Sequence, residues 1–375
     1  MQFSHVGWVA SLTLGLTIAP LALPTIPAAQ VLLPSAAAQT AADQLAEANR
    51  LIEQGNQQSQ TSQYRAAIQS HQQALEVYRR FDVRQTFAQE SRNGEANALL
   101  NLGAAYRSLS QYQRAIEYYQ QALPIFRAVG DRVGEAKVLG NLGVAYGSLS
   151  QYQRAIEYYQ QALSVFRAVG DRNREATVLG NLGAAYLSLS QYQRAIDYFQ
   201  QALPIHQAMS DRVGEAYALT NLGVAYGSLS QYQQEIEYYQ QALPIFRAVG
   251  DRVGEANALT NLGAAYDSLR QYQRAIEYYQ QALPIFRAVG DRNTEGFLLA
   301  NIGRLYAVQN SPQSAIQQLQ SSVTVREAIR AELRQLPQEA QQAYTDNIAD
   351  DYRLLAELLR RQNRNQEAQA VLDLL

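Results

Sequence analysis

The chain has 375 residues, no cysteine, three histidines and a formal charge of −2. Without cysteine there is no disulfide, no thiolate metal site and no cysteine nucleophile. Without net positive charge there is no electrostatic footprint for nucleic acid or an anionic membrane.

The first element is an export segment. Val6 to Ala19 is an apolar run, followed by Pro20, Pro24, Pro27 and Pro34 and then by Ala36-Ala37-Ala38. This fits a secretory signal over residues 1–38 cleaved after Ala38, although no Lys or Arg precedes the run. The run is short for a bilayer span. The expectation is an exported protein, periplasmic or extracellular, with no membrane contact once the signal is removed. Residues 39–91 then read as a degenerate helical unit and connector, carried by Gly55, Tyr64, Ala67, Ala74 and Leu75.

Between residues 92 and 310 one 40-residue unit is written six times, with its fixed glycine at Gly103, Gly143, Gly183, Gly223, Gly263 and Gly303. A fixed period of this length means a stack of supersecondary units, each burying its apolar face against the next. Leu99, Leu102, Gly103 and Tyr106 make one helical stripe; Tyr112, Ala115, Ile116, Tyr119, Ala122 and Leu123 make a second. Between them, Ser110 with Gln113 reads as a capping box, repeated from Ser150, Ser190 and Ser230, lost at Arg270, and replaced by Ser311-Pro312 in the sixth copy. Gly130-Asp131 reads as the stop of the second helix and the cap of the next first helix. Pro124, Pro204, Pro244 and Pro284 fall inside second helices and predict local bending.

Leu102-Gly103-x-x-Tyr106 followed by Ala115, Tyr119 and Ala122 resembles the tetratricopeptide repeat signature. The extra length lies in the segment PIFRAVGDR and resembles the subclass found in kinesin light chains and Leu-Gly-Asn-type spindle adaptors. The resemblance implies an all-α solenoid of stacked helix-turn-helix units wound as a right-handed superhelix. It also implies a non-catalytic scaffold that holds a partner peptide or helix in the concave groove.

Comparing the copies with one another shows where they differ. Asn97, Leu100, Ala104 and Arg107, with their counterparts, vary along one stripe of the first helix, opposite the packed stripe. Within that stripe Asn101, Asn141, Asn181, Asn221, Asn261 and Asn301 do not vary. An amide donates and accepts, which suits the backbone of an extended peptide; in the proteins this chain resembles, an asparagine at this place contacts ligand backbone. The alternative is that each amide bonds a neighbouring helix and fixes repeat register. The candidate groove residues are these six asparagines with Lys137, Tyr217, Thr220, Thr260, Arg107 and Arg304. The Tyr118-Tyr119 pairs read as packing, and Arg127, Arg132 and Glu135 as ion pairs at helix ends. His71 and His206 stand in non-equivalent places, and no glycine-rich phosphate loop is present. No catalytic, metal or cofactor site is expected.

Residues 335–375 read as a degenerate helical cap to the array, whose last helix runs to about residue 334. Leu355, Ala356, Leu359 and Ala368 fit a terminal copy. The stretches TDNIADDYRLLAELL and EAQAVLDLL resemble the junction that precedes a caspase-like CHAT domain in bacterial proteins. That resemblance implies an alternative role, the regulatory arm of such a peptidase system; no residue here carries the peptidase chemistry. A third expectation is self-association through the ends of the array.

Overall fold

A computed structural model describes residues 36–335 and 337–375. The export segment lies, except for its last three residues, outside the described residues. Among these there are seventeen helices and no strand. They pair as α1 (Ala36–Gln60) with α2 (Tyr64–Arg79), α4 (Ala88–Ser108) with α5 (Tyr112–Val129), and α6 (Arg132–Ser148) with α7 (Tyr152–Val169). The pairs continue as α8 (Arg172–Ser188) with α9 (Tyr192–Ala208), α10 (Arg212–Ser228) with α11 (Tyr232–Val249), and α12 (Arg252–Ser268) with α13 (Tyr272–Val289). The last two are α14 (Arg292–Val308) with α15 (Pro312–Leu333) and α16 (Gln338–Arg361) with α17 (Asn365–Leu372). A short α3 (Phe81–Thr86) fills the extra length after α2.

Each pair closes because a glycine on the first helix admits a ring from the second. A Cβ at Gly103 would lie 2.4 Å from the Tyr119 ring, and Gly143, Gly183, Gly223 and Gly263 face Tyr159, Phe199, Tyr239 and Tyr279 in the same way. Tyr119 is fully buried, whereas Tyr118 is half-buried and stacks on Tyr106 at 5.3 Å with Arg114 over the Tyr106 ring. In the degenerate first pair, His71 fills the same place against Gly55.

The joint between pairs is built from charge. Glu135 is buried yet accepts from Arg127 at 2.8 Å and from Arg132 at 2.5 Å. Glu95, Glu175 and Glu255 are held between two arginines in the same way. Burying a carboxylate is costly, and two guanidinium partners per glutamate offset that cost. Gly130 is left-handed at φ 76° and Asp131 caps the next helix, accepting from the Gly134 N–H at 2.8 Å. The second helices run unbroken through Pro124, Pro204, Pro244 and Pro284, and all four rings are exposed.

The capping box is not what joins the two helices of a pair. Ser110 is itself left-handed, at φ 57°, and Gln111 is the N-cap, with no side-chain cap bond. The Ser110 N–H donates to the Arg107 carbonyl and the Gln111 N–H to the Tyr106 carbonyl. This is a Schellman ending of the first helix. Ser150, Ser190, Ser230, Arg270 and Asn310 occupy the same conformation; Ser311, ahead of Pro312, likewise makes no side-chain cap bond. A side chain in this region is strained and glycine is not. Ser150→Gly is therefore expected to stabilise the array by roughly 0.5–1 kcal/mol in urea unfolding, whereas loss of a true N-cap would destabilise it.

Candidate functional site

Successive first helices α4, α6, α8 and α10 touch one another, while successive second helices make no comparable contact. The first helices therefore line the inner side of the curve. A cavity of about 460 Å³ opens there between α6 and α8, lined by Lys137, Gly140, Asn141, Val144 and Asn181, with Arg107 entering from α4. A second, of about 650 Å³, lies between α1 and α4, lined by Asn49, Glu53, Asn56, Asn97 and Asn101, with Lys137 at its edge. The variable stripe read from the sequence thus falls along these two openings.

The asparagines divide by position. Asn101 donates to Asn56 of α1 at 3.0 Å. At the other end Asn301 is buried and accepts from Arg304, whose guanidinium also lies 3.8 Å from Asp351 of α16. Ala300, on the same stripe, packs into the apolar cluster of α16. Asn301 is therefore closed off from the groove and bonded within α14, whereas Arg304 stays exposed with its guanidinium drawn toward the C-terminal cap. Between these ends, Asn141, Asn181, Asn221 and Asn261 are half-buried, and among the described residues their amides make no hydrogen bond.

The other candidates differ in what they offer. Lys137 makes no ion pair or hydrogen bond among the described residues, although its charge helps hold the Asp171 carboxyl below its usual range, mainly a matter of the Arg174 backbone and side chain. Arg107 forms no salt bridge, and its Nε is buried without a partner. Tyr217 is 47% exposed, donates to Asp251 at 2.9 Å and stands edge-on to Phe246. Phe297, at the same place two units on, is exposed as well. Thr220 and Thr260 donate to the Ala216 and Ala256 carbonyls of their own helices, both at 2.9 Å, and so turn inward the hydroxyl donors the sequence had suggested for a partner.

Among the described residues no cluster of His, Cys, Asp and Glu is placed to hold a metal. His206 takes the place of Phe126 and contacts Asp211 at 2.8 Å; both ring nitrogens of His71 are buried without partners. The engaged ends of the asparagine row were beyond sequence reasoning, since Asn56 and Asp351 belong to units that depart from the repeat. A half-buried carboxyl, Glu235, was also missed; its signal is that Ala115, Ala155, Ala195 and Ala275 occupy that place in other copies.

The tetratricopeptide repeat model matches residues 94–168, 138–208, 174–248, 214–288 and 254–328. The chain belongs to the tetratricopeptide repeat family. A comparison with curated protein sequences returned no match. Among solved structures, this tetratricopeptide array is similar to the Signal Transduction ATPase with Numerous Domains protein with a tetratricopeptide repeat sensor from Pyrococcus horikoshii. Identity is 16% and TM-score 0.63, over 92% of this chain and 52% of that one. It is also similar to aspartyl phosphate phosphatase F from Bacillus subtilis, at 17% identity and TM-score 0.55, over 90% and 93% of the two chains. BtubC from P. vanneervenii gives 22% identity and TM-score 0.53 over 60% and 91%. These likenesses concern the fold.

Proposed function

We propose that the protein is an exported, non-catalytic scaffold that holds an extended segment of a partner protein against the inner face of its first helices. The observation that carries this reading is the row of four amides, Asn141, Asn181, Asn221 and Asn261, half-buried and without an intramolecular bond. A polar group left this way gains by meeting a partner, and each offers the donor and acceptor that a peptide backbone needs. The lack of intramolecular bonds at these four side chains favours this reading over a role in fixing repeat register. Arg107 and Lys137, neither in a salt bridge, favour an acidic residue of the partner at the α4–α6 end. The exposed Tyr217 and Phe297 rings favour apolar residues toward α14. Export rests on the sequence before residue 39; among the described residues no helix is long and apolar enough to cross a membrane.

The test uses the full chain as bait in a periplasmic extract, then compares the captured partner's affinity for wild type and for Asn181→Ala/Asn221→Ala. Two lost hydrogen bonds predict a fall of roughly 10- to 100-fold, with stability changed by less than about 0.5 kcal/mol. Unchanged affinity removes the amides from the binding surface. A sharp drop in melting temperature instead restores the register role.

A further inference from the structure

Of the four joints from α5–α6 to α11–α12, three are alike and one, α9–α10, is not, and there six differences fall together. Where the other copies have the buried rings Phe126, Phe166, Phe246 and Phe286, α9 has His206, whose side chain is 14% exposed. Where Arg127, Arg167 and Arg247 reach the buried glutamate of the next unit, Gln207 makes an uncharged bond to Glu215 at 3.1 Å. Where Gly130, Gly170, Gly250 and Gly290 end the second helix in the left-handed region, Ser210 is forced into it at φ 56°. A serine there carries strain that glycine avoids.

The next contact inward departs too. Gln234 replaces the arginine that lies over Tyr106, Tyr146, Tyr186 and Tyr266, so the Tyr226 ring has no cation above it. Glu235 replaces the alanine, and its carboxyl fills the space in front of Gly227 on α10. Tyr226, like Tyr306, is half-buried where Tyr106, Tyr146, Tyr186 and Tyr266 are buried, and its stack on Tyr238 opens to 13°, against 4–7° in the other stacked pairs. The apolar core divides at this point. Leu222 and Ala225 of α10 join the N-terminal cluster, while Ala216 and Leu219 of the same helix join the C-terminal one.

We propose that the α9–α10–α11 joint is a hinge, the seam at which this array opens first, and that the Glu235 carboxyl makes its opening depend on pH. A solenoid is stable as a sum of units and nearest-neighbour interfaces, so weakening one interface localises motion there. The groups facing Glu235 are few. On its own helix it meets the Tyr239 hydroxyl; from α10 it meets Gly227, which has no side chain; no charged group of α10 or α12 acts on it. Burial holds the carboxyl up to about 7, against an ordinary value of 4.5 once the joint opens to water. The sign follows: neutral in both states in acid, Glu235 ionises first in the open state as pH rises from 4.5. The joint therefore loosens up to about pH 7 and changes no further beyond it. The hinge lies between the Asn181 and Asn261 ends of the groove, yet the inference stands whether or not the groove binds a partner.

Hydrogen exchange read by mass spectrometry on the full chain tests it, corrected for the intrinsic pH dependence of exchange. Amides of α9–α11 are expected to open roughly tenfold more often than equivalent amides of α5–α7 and α12–α13, the ratio widening by about tenfold or more between pH ~5 and pH ~7. Glu235→Ala, which restores the residue of the other copies, should flatten the pH response. His206→Phe, likewise a restoration, should slow opening without flattening it. Equal protection along the array overturns the hinge. A pH response that survives Glu235→Ala, or that His206→Phe abolishes, overturns the role of Glu235.

Discussion

Tyr119→Ala is expected to destabilise the protein by about 3–5 kcal/mol, the cost of removing a large ring from a closed core. Tyr119 is fully buried and lies against Gly103, so no neighbouring side chain stands ready to fill the space. Because each unit contacts only its neighbours, the loss should appear as local unfolding of α4 and α5, visible as a separate early transition in urea. Tyr119→Phe gives the contrasting result. The Tyr119 hydroxyl is buried and makes no well-aligned hydrogen bond, and burial pushes it up to about 12 against the opposing charge of Arg107 beside it. Removing it should leave stability unchanged or raise it by up to about 1 kcal/mol. The third unit already carries Phe199 at this place. A cost below about 1 kcal/mol for the alanine variant would contradict the core assignment of the ring.

The second large effect is on acid stability. His71 is fully buried, neither ring nitrogen has a partner, and burial alone pushes the imidazole down to about 4 from 6.5. In the unfolded chain the ring protonates as pH falls below 6.5, while in the folded unit it stays neutral until about 4. The sign is that stability is full above pH 6.5 and is lost as pH falls toward 4, by about 3 kcal/mol in total. The α1–α2 pair should therefore be the first to unfold in mild acid, an order that circular dichroism with site-resolved exchange can follow. His71→Phe should remove this loss, and the difference between variant and wild type should grow through that window. A constant difference at all pH values would show that the ring takes up its proton as readily in the folded unit as in the unfolded chain, against its burial. Glu235 acts in the opposite sense over an overlapping range, so the comparison must be variant against wild type.

Most of the fold was legible because each unit repeats its own cues. The glycine at 103 and the tyrosine at 119 recur together, and a stripe that must admit a ring cannot vary. What failed was the reading of Ser110. A serine followed three residues later by glutamine fits a helix start, but the copies themselves carried the correction. Arg270 at the same place offers no acceptor for an N-cap, and asparagine, as at Asn310, is equally at home in a left-handed helix ending. Positions along the groove were legible from variation among copies. Which amides were already bonded was not, because Asn56 and Asp351 lie in the degenerate end units and reach the row only through tertiary packing. The threonines show a further limit: their hydroxyls turn to their own helix carbonyls, a local competition that residue identity alone does not reveal.

The charged joint has one more consequence, for length. Arg127, Arg132 and Glu135 meet as Arg167, Arg172 and Glu175 do, at nearly the same distances. A chain lacking residues 132–171 would bring α5 to α8 through Phe126 to Asp131, the same residues that α7 now presents as Phe166 to Asp171, with Pro124-Ile125 in place of Ser164-Val165, and one amide fewer would line the groove. The array is a ruler whose graduations can be removed or added without spoiling its joinery. The mark at His206 to Glu235 is unlike those on either side of it, and it gives the ruler a fixed origin from which the neighbouring graduations can be counted.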